Sequence, residues 1–190
     1  MTVKSDITVI TPTIKGRESF LEECKASVEA QTLPAEDHLI FTDVWRKGPA
    51  FALNNLWPLV KTEYTQVLAD DDLLLPNHIA QMASAAQLAQ TGPPWRTDIV
   101  HSYCRVEGRN IDFNCPAKEA GYNIPATALI RTSLIKELGG WREKAETGVF
   151  EDFDFFRRAA EAGNSFTTRR IITWVYRFHG NNLSMGEEPV

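Results

Sequence analysis

Residues 66–76 read QVLADDDLLLP: a short apolar run stops at three adjacent aspartates, Asp70, Asp71 and Asp72, and a proline follows shortly after. The run has the length and composition of a buried strand. Behind Pro76, the alanine-rich pattern over 77–90 predicts a helix. Three neighbouring carboxylates repel one another, and no cation within the stretch offsets them. The placement of that charge at a strand end needs an explanation from the rest of the chain.

Upstream, the same alternation occurs twice. Residues 7–11, ITVIT, form a β-branched run ended by Pro12. Over 17–31, Phe20, Leu21, Cys24, Val28 and Gln31 recur at helical spacing with charge on the other face. Residues 38–42, HLIFT, predict a second strand, and 51–60 a second helix, with Gly48-Pro49 before it and Pro58 near its end. Three strand–helix units in a row predict a mostly parallel α/β sheet with right-handed crossovers, flanked by helices. Ligands of such sheets bind outside the carboxyl ends of the strands. Thr11-Pro12-Thr13, Asp43 and the three aspartates all fall there.

The second half is less regular. Residues 98–107 (with IVHSYCRV) predict a strand, 110–123 a polar loop, and 124–138 an apolar run with a short helix ended by Gly139-Gly140. An amphipathic helix over 150–162 closes at Gly163, 171–178 is β-rich, and the last ten residues read as a mobile tail. With no repeat or linker, residues 1–190 read as one domain.

Composition narrows the function classes. At 43% hydrophobic and 24% charged, the 190 residues suit a globular protein with a sizeable core. A net charge of −5 gives no general attraction to nucleic acid or anionic membranes. Cys24, Cys104 and Cys115 form no CxxC pair, so free thiols in a reducing compartment are expected. No signal peptide is recognisable, and no apolar stretch approaches the ~18 residues of a membrane span. The expectation is a soluble, cytoplasmic protein.

Capping a helix needs one carboxylate, not three. Adjacent carboxylates at a strand end suit a divalent cation such as Mn²⁺ or Mg²⁺, whose remaining positions substrate phosphates can fill. In FEDFDFFRRAAEAG, residues 150–163, Glu151, Asp152 and Asp154 crowd a helix start. Acids there complement the helix dipole, and are also candidates for acid–base work. His179, in WVYRFHGNNLS, is a lone histidine that could be structural or a ligand. No P-loop, GxGxxG, zinc spacing or Ser-His-Asp order is present.

In order along the chain, from about residue 7 to 184, these segments resemble the family 2 glycosyltransferases, nucleotide-sugar-dependent enzymes of the GT-A fold. The resemblance rests on ITVITPTIKGRESFLEECKASVEAQTLP, KGPAFALNN, VLADDDLLLP, IPATALIRTSLIKELGGWRE, EDFDFFRRAAEAG and YRFHGNNLS. It implies a single Rossmann-like GT-A domain, with residues 7–90 binding nucleotide and metal and 98–184 holding acceptor and catalytic groups. Thr11, Pro12 and Thr13 would line the nucleotide pocket, Asp43 would receive the base, and Lys47 and Asn54 would lie nearby. Asp70 would face ribose or metal, and Asp71 and Asp72 the cation; Ala69, in the first position of the family's Asp-x-Asp-Asp, leaves open which of the three ligate it. Asp152 would be the general base with Glu151 beside it, His179 a metal or diphosphate contact, and Trp141 an aromatic wall.

The implied reaction is inverting, metal-dependent transfer from a UDP-, GDP- or dTDP-sugar to a hydroxyl of a saccharide, lipid carrier, protein or modified base. Two other classes share part of the pattern. A nucleotidyltransferase or nucleotide-sugar pyrophosphorylase would carry a Gly-rich basic loop after the first strand, where TPTIKGRESF has one glycine. A non-catalytic sugar-binding module would need no Asp152 beside an aspartate cluster.

Overall fold

The computed structural model describes residues 5–88, 97–108, 111–179 and 182. The first half runs β1 (Ile7–Thr13), α1 (Glu18–Glu29), β2 (Asp37–Thr42), α2 (Pro49–Leu56), β3 (Tyr64–Val67), β4 (Leu73–Leu74) and α3 (His78–Leu88). The second half runs β5 (Ile99–Glu107), β6 (Ile111–Phe113), β7 (Leu129–Arg131), α4 (Thr132–Glu137), α5 (Lys144–Thr147), α6 (Glu151–Glu161) and β8 (Phe166–Arg177).

One sheet holds these strands in the order β2-β1-β3-β7-β5-β8-β4, with β6 paired to β5. Strands β1, β2, β3, β5 and β8 run one way; β4, β6 and β7 run against them. Most strands share the direction expected from the strand–helix units, but β7 enters antiparallel between β3 and β5, so the sheet is mixed. Because β1 lies between β2 and β3, successive right-handed crossovers put α1 and α2 on opposite faces.

Apolar residues on both sides of each strand explain the two buried layers. Ile10, Val67, Ile99 and Ile130 join Leu53, Leu134, Phe155 and Phe156 on the α2, α4 and α6 side. Their neighbours Val9, Leu68, Val100 and Leu129 join Cys24, Val28, Ile79, Met82 and Trp174 on the α1 and α3 side. A buried polar strut crosses the second layer. His78 reaches Thr173 Oγ1 at 2.7 Å and Gln66 Oε1 at 3.1 Å, and Thr173 meets Ser102 at 2.6 Å. Burial lowers the His78 pKa to about 3, so the imidazole is neutral.

Several elements depart from expectation. The polar loop over 110–123 contains β6, whose pairing with β5 supplies order that its short sequence does not advertise. The apolar run after residue 124 contains β7, three residues too few to show a period. Strand β8 begins at Phe166 rather than 171, because Phe166 to Arg169 pair in parallel with Ile99 to Ser102 of β5; Arg169, which interrupts the apolar pattern, is held by Gln81 Oε1 at 2.8 Å. The residues read as a tail lie outside the described residues, apart from Asn182. Among the described residues, no helix is long and apolar enough to cross a membrane.

The turn after α4 is a Schellman cap: Gly139 N–H donates to Lys136 O and Gly140 N–H to Ile135 O, with both glycines at positive φ. Arg158 on α6 clamps it, donating to Leu138 O at 2.7 Å and Gly140 O at 2.8 Å. Asp154, wholly buried, holds Arg158 at 2.7 Å. Asp154→Ala strands a buried guanidinium and is expected to cost about 3 kcal/mol. Urea denaturation should show this as a lowered midpoint with unchanged slope.

Candidate functional site

β1 departs to β2 through α1 on one face, and the chain reaches β3 through α2 on the other, so a crevice opens at the carboxyl ends of β1 and β3. Thr13 ends β1. Its carbonyl accepts the Asp43 N–H at 2.7 Å, and its hydroxyl donates to Asp70 Oδ2 at 2.6 Å. Three of the clusters marked in the sequence therefore meet at one residue.

The aspartates separate into two environments. Asp70 Oδ1 lies 3.3 Å from Arg17 Nη1, and Asp71 Oδ2 accepts from Arg17 Nη2 and lies 3.0 Å from His179 Nε2. Asp72 turns away: its Oδ1 accepts the Arg177 backbone N–H at 3.1 Å. Burial raises the pKa of Asp70, against the pull of Thr13 and Arg17. Burial raises Asp72 well above the usual range, with the Asp71 charge adding to it.

Phe20 on α1 gathers the basic side chains. His179 stacks on its ring at 4.7 Å, and the guanidinium carbons of Arg17 and Arg177 lie 5.6 Å and 5.0 Å from its centroid. Arg177 also donates to Asp71 O and pairs with Glu23. Asn182 fixes the strand end, accepting the His179 N–H at 2.8 Å and donating to Arg177 O at 2.8 Å.

Other expected site residues have more local duties. Asp43 is buried and shapes the following loop, accepting the N–H groups of Trp45 at 3.2 Å and Gly48 at 2.8 Å. Lys47 is exposed and lies over the Phe51 ring at 4.7 Å. The Thr11 hydroxyl is committed to His38 Nε2 at 2.9 Å, and Pro12 is half-buried. Asn54 grips the backbone of Trp141, donating to its carbonyl at 2.7 Å and accepting its N–H at 3.0 Å. Trp141 itself is buried and stacks on Phe155 at 4.9 Å. Any β-carbon at Gly140 would lie 2.4 Å from Asn54 Oδ1, so this grip requires glycine.

Glu151 and Asp152 are half-buried at the start of α6. Burial, then the charges of Asp152 and Glu143, raise the Glu151 pKa to about 7. Burial also raises Asp152, whose Oδ1 accepts the Phe153 N–H at 2.7 Å. Glu143 connects the halves: it accepts the Phe51 N–H in the first turn of α2, and its pKa is raised by burial, Glu146 and Asp43. The acids of α6 thus belong to one electrostatic group with Asp43.

Among the described residues, no three His, Cys, Asp or Glu side chains are gathered to hold a metal ion. The oxygens that could do so, on Asp70 and Asp71, are spanned by the Arg17 guanidinium. The donor types around that guanidinium, two carboxylates and an imidazole, are chemically suited to Mn²⁺ or Mg²⁺. Sequence reasoning missed Arg17, Phe20, Glu143 and Arg177. Arg17 alone carried a signal, a cation between the carboxyl end of β1 and the start of α1; the others show their part only through the fold.

No family model and no curated protein matches the sequence. Solved structures do. S. aureus TarS 1-349 in complex with UDP-GlcNAc superposes at TM-score 0.78 and 16% identity, over 96% of this chain and 61% of that one. Mannosyltransferase PcManGT from Pyrobaculum calidifontis, in complex with GDP-Man and Mn²⁺, gives 0.64 and 18%, over 92% and 57%. The catalytic domain of Drosophila beta1,4galactosyltransferase 7, in complex with xylobiose, gives 0.58 and 18%, over 92% and 71%. At such identities the likeness is one of fold: the chain has the mixed-sheet GT-A glycosyltransferase fold. It spans about three fifths of the TarS 1-349 chains it matches.

Folding raises the Glu151 pKa from 4.5 to about 7, so between those values the folded state binds more protons than the unfolded one. Stability from this group is full below pH 4.5 and falls as pH rises through 7. Glu151→Gln removes the loss. The variant should gain up to about 3 kcal/mol on the natural chain between pH 5 and pH 8.5. Melting curves at both pH values check this; an equal difference at the two would refute it.

Proposed function

We propose that this chain is a glycosyltransferase of family 2, transferring a sugar from a UDP-, GDP- or dTDP-sugar to a hydroxyl acceptor with inversion at the anomeric carbon. The observation that carries it is the joining of Asp43, Asp70 and Asp71 at the strand ends to the desolvated Glu151–Asp152 pair through Glu143. The ordered motifs and the fold's likeness to glycosyltransferase structures support it.

The base of the donor nucleotide lies against Asp43 and the loop to Gly48, with Pro12 and Lys47 at its edge. The diphosphate lies at Asp70, Asp71, Arg17 and His179. When bound there, Mn²⁺ or Mg²⁺, held by Asp70, Asp71 and His179, supplies Lewis-acid stabilisation of the charge on the departing diphosphate. Asp72 supports the seat from behind through the Arg177 backbone. Asp152 takes the acceptor hydroxyl's proton as that oxygen bonds to the anomeric carbon and the bond to the diphosphate breaks. A carboxylate with a raised pKa is a stronger base than an ordinary one, as this step requires. Glu151, whose pKa burial raises to about 7, stands beside Asp152 at the start of α6. Thr11, Asn54 and Trp141 act as supports: Asn54 and Trp141 hold the turn that packs on α6. The acceptor is a saccharide, lipid carrier, protein or modified base.

Calorimetry with UDP, GDP and dTDP, with and without Mn²⁺, tests the donor site. One of them should bind, more tightly with the ion. Asp152→Asn should leave that binding intact while donor turnover falls about 10²- to 10⁴-fold. Binding of none of the three overturns the function; undiminished turnover in Asp152→Asn reassigns the base.

A further inference from the structure

The aspartate pair already has a cation of its own. Arg17 reaches Asp70 Oδ1 with one terminal nitrogen at 3.3 Å and Asp71 Oδ2 with the other. His179 Nε2 lies 3.3 Å from that second nitrogen and 3.0 Å from the same carboxylate oxygen. Guanidinium and imidazole thus converge on one oxygen, and both rest on Phe20.

The partners differ in depth. The Arg17 side chain is 19% exposed, against 3% for Asp70 and 11% for Asp71. Arginine covers the carboxylates from the solvent side, so an ion arriving from solvent meets Arg17 first. The carboxylates are also the less mobile side: Asp70 is anchored by Thr13, and the turn that bears Asp71 by Arg177. A guanidinium fork binds a phosphate as well as a carboxylate. Arg17 can therefore exchange one oxyanion partner for the other, whereas Asp70 and Asp71 stay in place.

We propose that Arg17 couples cation binding to diphosphate binding. With the site empty of nucleotide, Arg17 competes with a divalent cation for Asp70 and Asp71 and keeps its affinity low. An arriving diphosphate draws the guanidinium onto its own oxygens and frees the carboxylates for the ion. Cation and nucleotide then bind cooperatively, each raising the other's affinity by the same factor. This scheme rests on the donor site proposed above.

The deciding experiment titrates the full chain with Mn²⁺ alone, followed by the manganese EPR signal, then repeats it with saturating UDP and corrects for the ion bound by UDP itself. Arg17→Gln should bind Mn²⁺ alone roughly tenfold more tightly than the natural chain, a size typical of such couplings. The further gain conferred by UDP should shrink by a similar factor. Arg17→Lys, which keeps the charge without the fork, should fall between. Arg105→Gln removes an exposed arginine from β5 and should leave the Mn²⁺ affinity unchanged, which separates contact from net charge. An Arg17→Gln chain that binds Mn²⁺ alone no better than the natural one overturns the coupling. If UDP, GDP and dTDP all fail to bind, the transfer function falls instead, and the Mn²⁺-only arm still decides the competition at Asp70 and Asp71.

Discussion

Three consecutive buried aspartates must have their carboxylates compensated before this chain can fold. No cation adjacent in sequence does so. Arg17 comes from the start of α1, and Arg177 and His179 come from the end of β8. The constraint therefore reaches across the chain: closing the charge at Asp70–Asp72 fixes where the last strand must end and how α1 must lie. Phe20 makes the convergence workable, since one aromatic ring meets both guanidinium groups and the imidazole, with Glu23 pairing Arg177.

A second clamp places the other acids. Asp154, Arg158, the Gly140–Trp141 backbone and Asn54 form a continuous chain of contacts from α6 to α2. Glu143 then satisfies an N–H in the first turn of α2, which would otherwise lack a helical partner. Glu151 and Asp152 consequently begin α6 in a desolvated setting that already holds Glu143. Their raised pKa values follow from this placement rather than from the helix dipole, which acts in the opposite direction.

Much of this was legible in the sequence. Strands β1, β2 and β3 and their helices carry clear periods and breakers, and a parallel sheet with ligands at its carboxyl ends follows from them. The meeting of Thr13, Asp43 and Asp70 was implied by that topology alone. Strands β4, β6 and β7 were not legible, being too short to show a period. Arginines at 169 and 170 hid the first part of β8. The compensation of the aspartates was invisible for a different reason. Arg17 and Asp71 are 54 residues apart and Asp71 and His179 are 108 apart, and no local pattern encodes such pairs. Asn54 and Trp141, which the family resemblance puts near the donor, are 87 residues apart and joined through the Trp141 backbone, another pair that no local pattern encodes.

The charge balance at the crevice also bears on how a diphosphate could be accommodated. Asp70 and Asp71, when ionised, carry one negative charge more than Arg17 neutralises. A nucleoside diphosphate adds at least two more, and Arg177 is already engaged with Glu23 and the Asp71 carbonyl. One guanidinium cannot serve both the carboxylates and the phosphates in a setting this dry, where unpaired charge is most costly. Either Asp70 takes up a proton, which its raised pKa makes easier, or another cation enters with the nucleotide. The second course leaves Arg17 free to turn to the phosphates. On that account, the same excess of carboxylate that looked like an unexplained repulsion in the sequence makes the site dependent on its ligands arriving together.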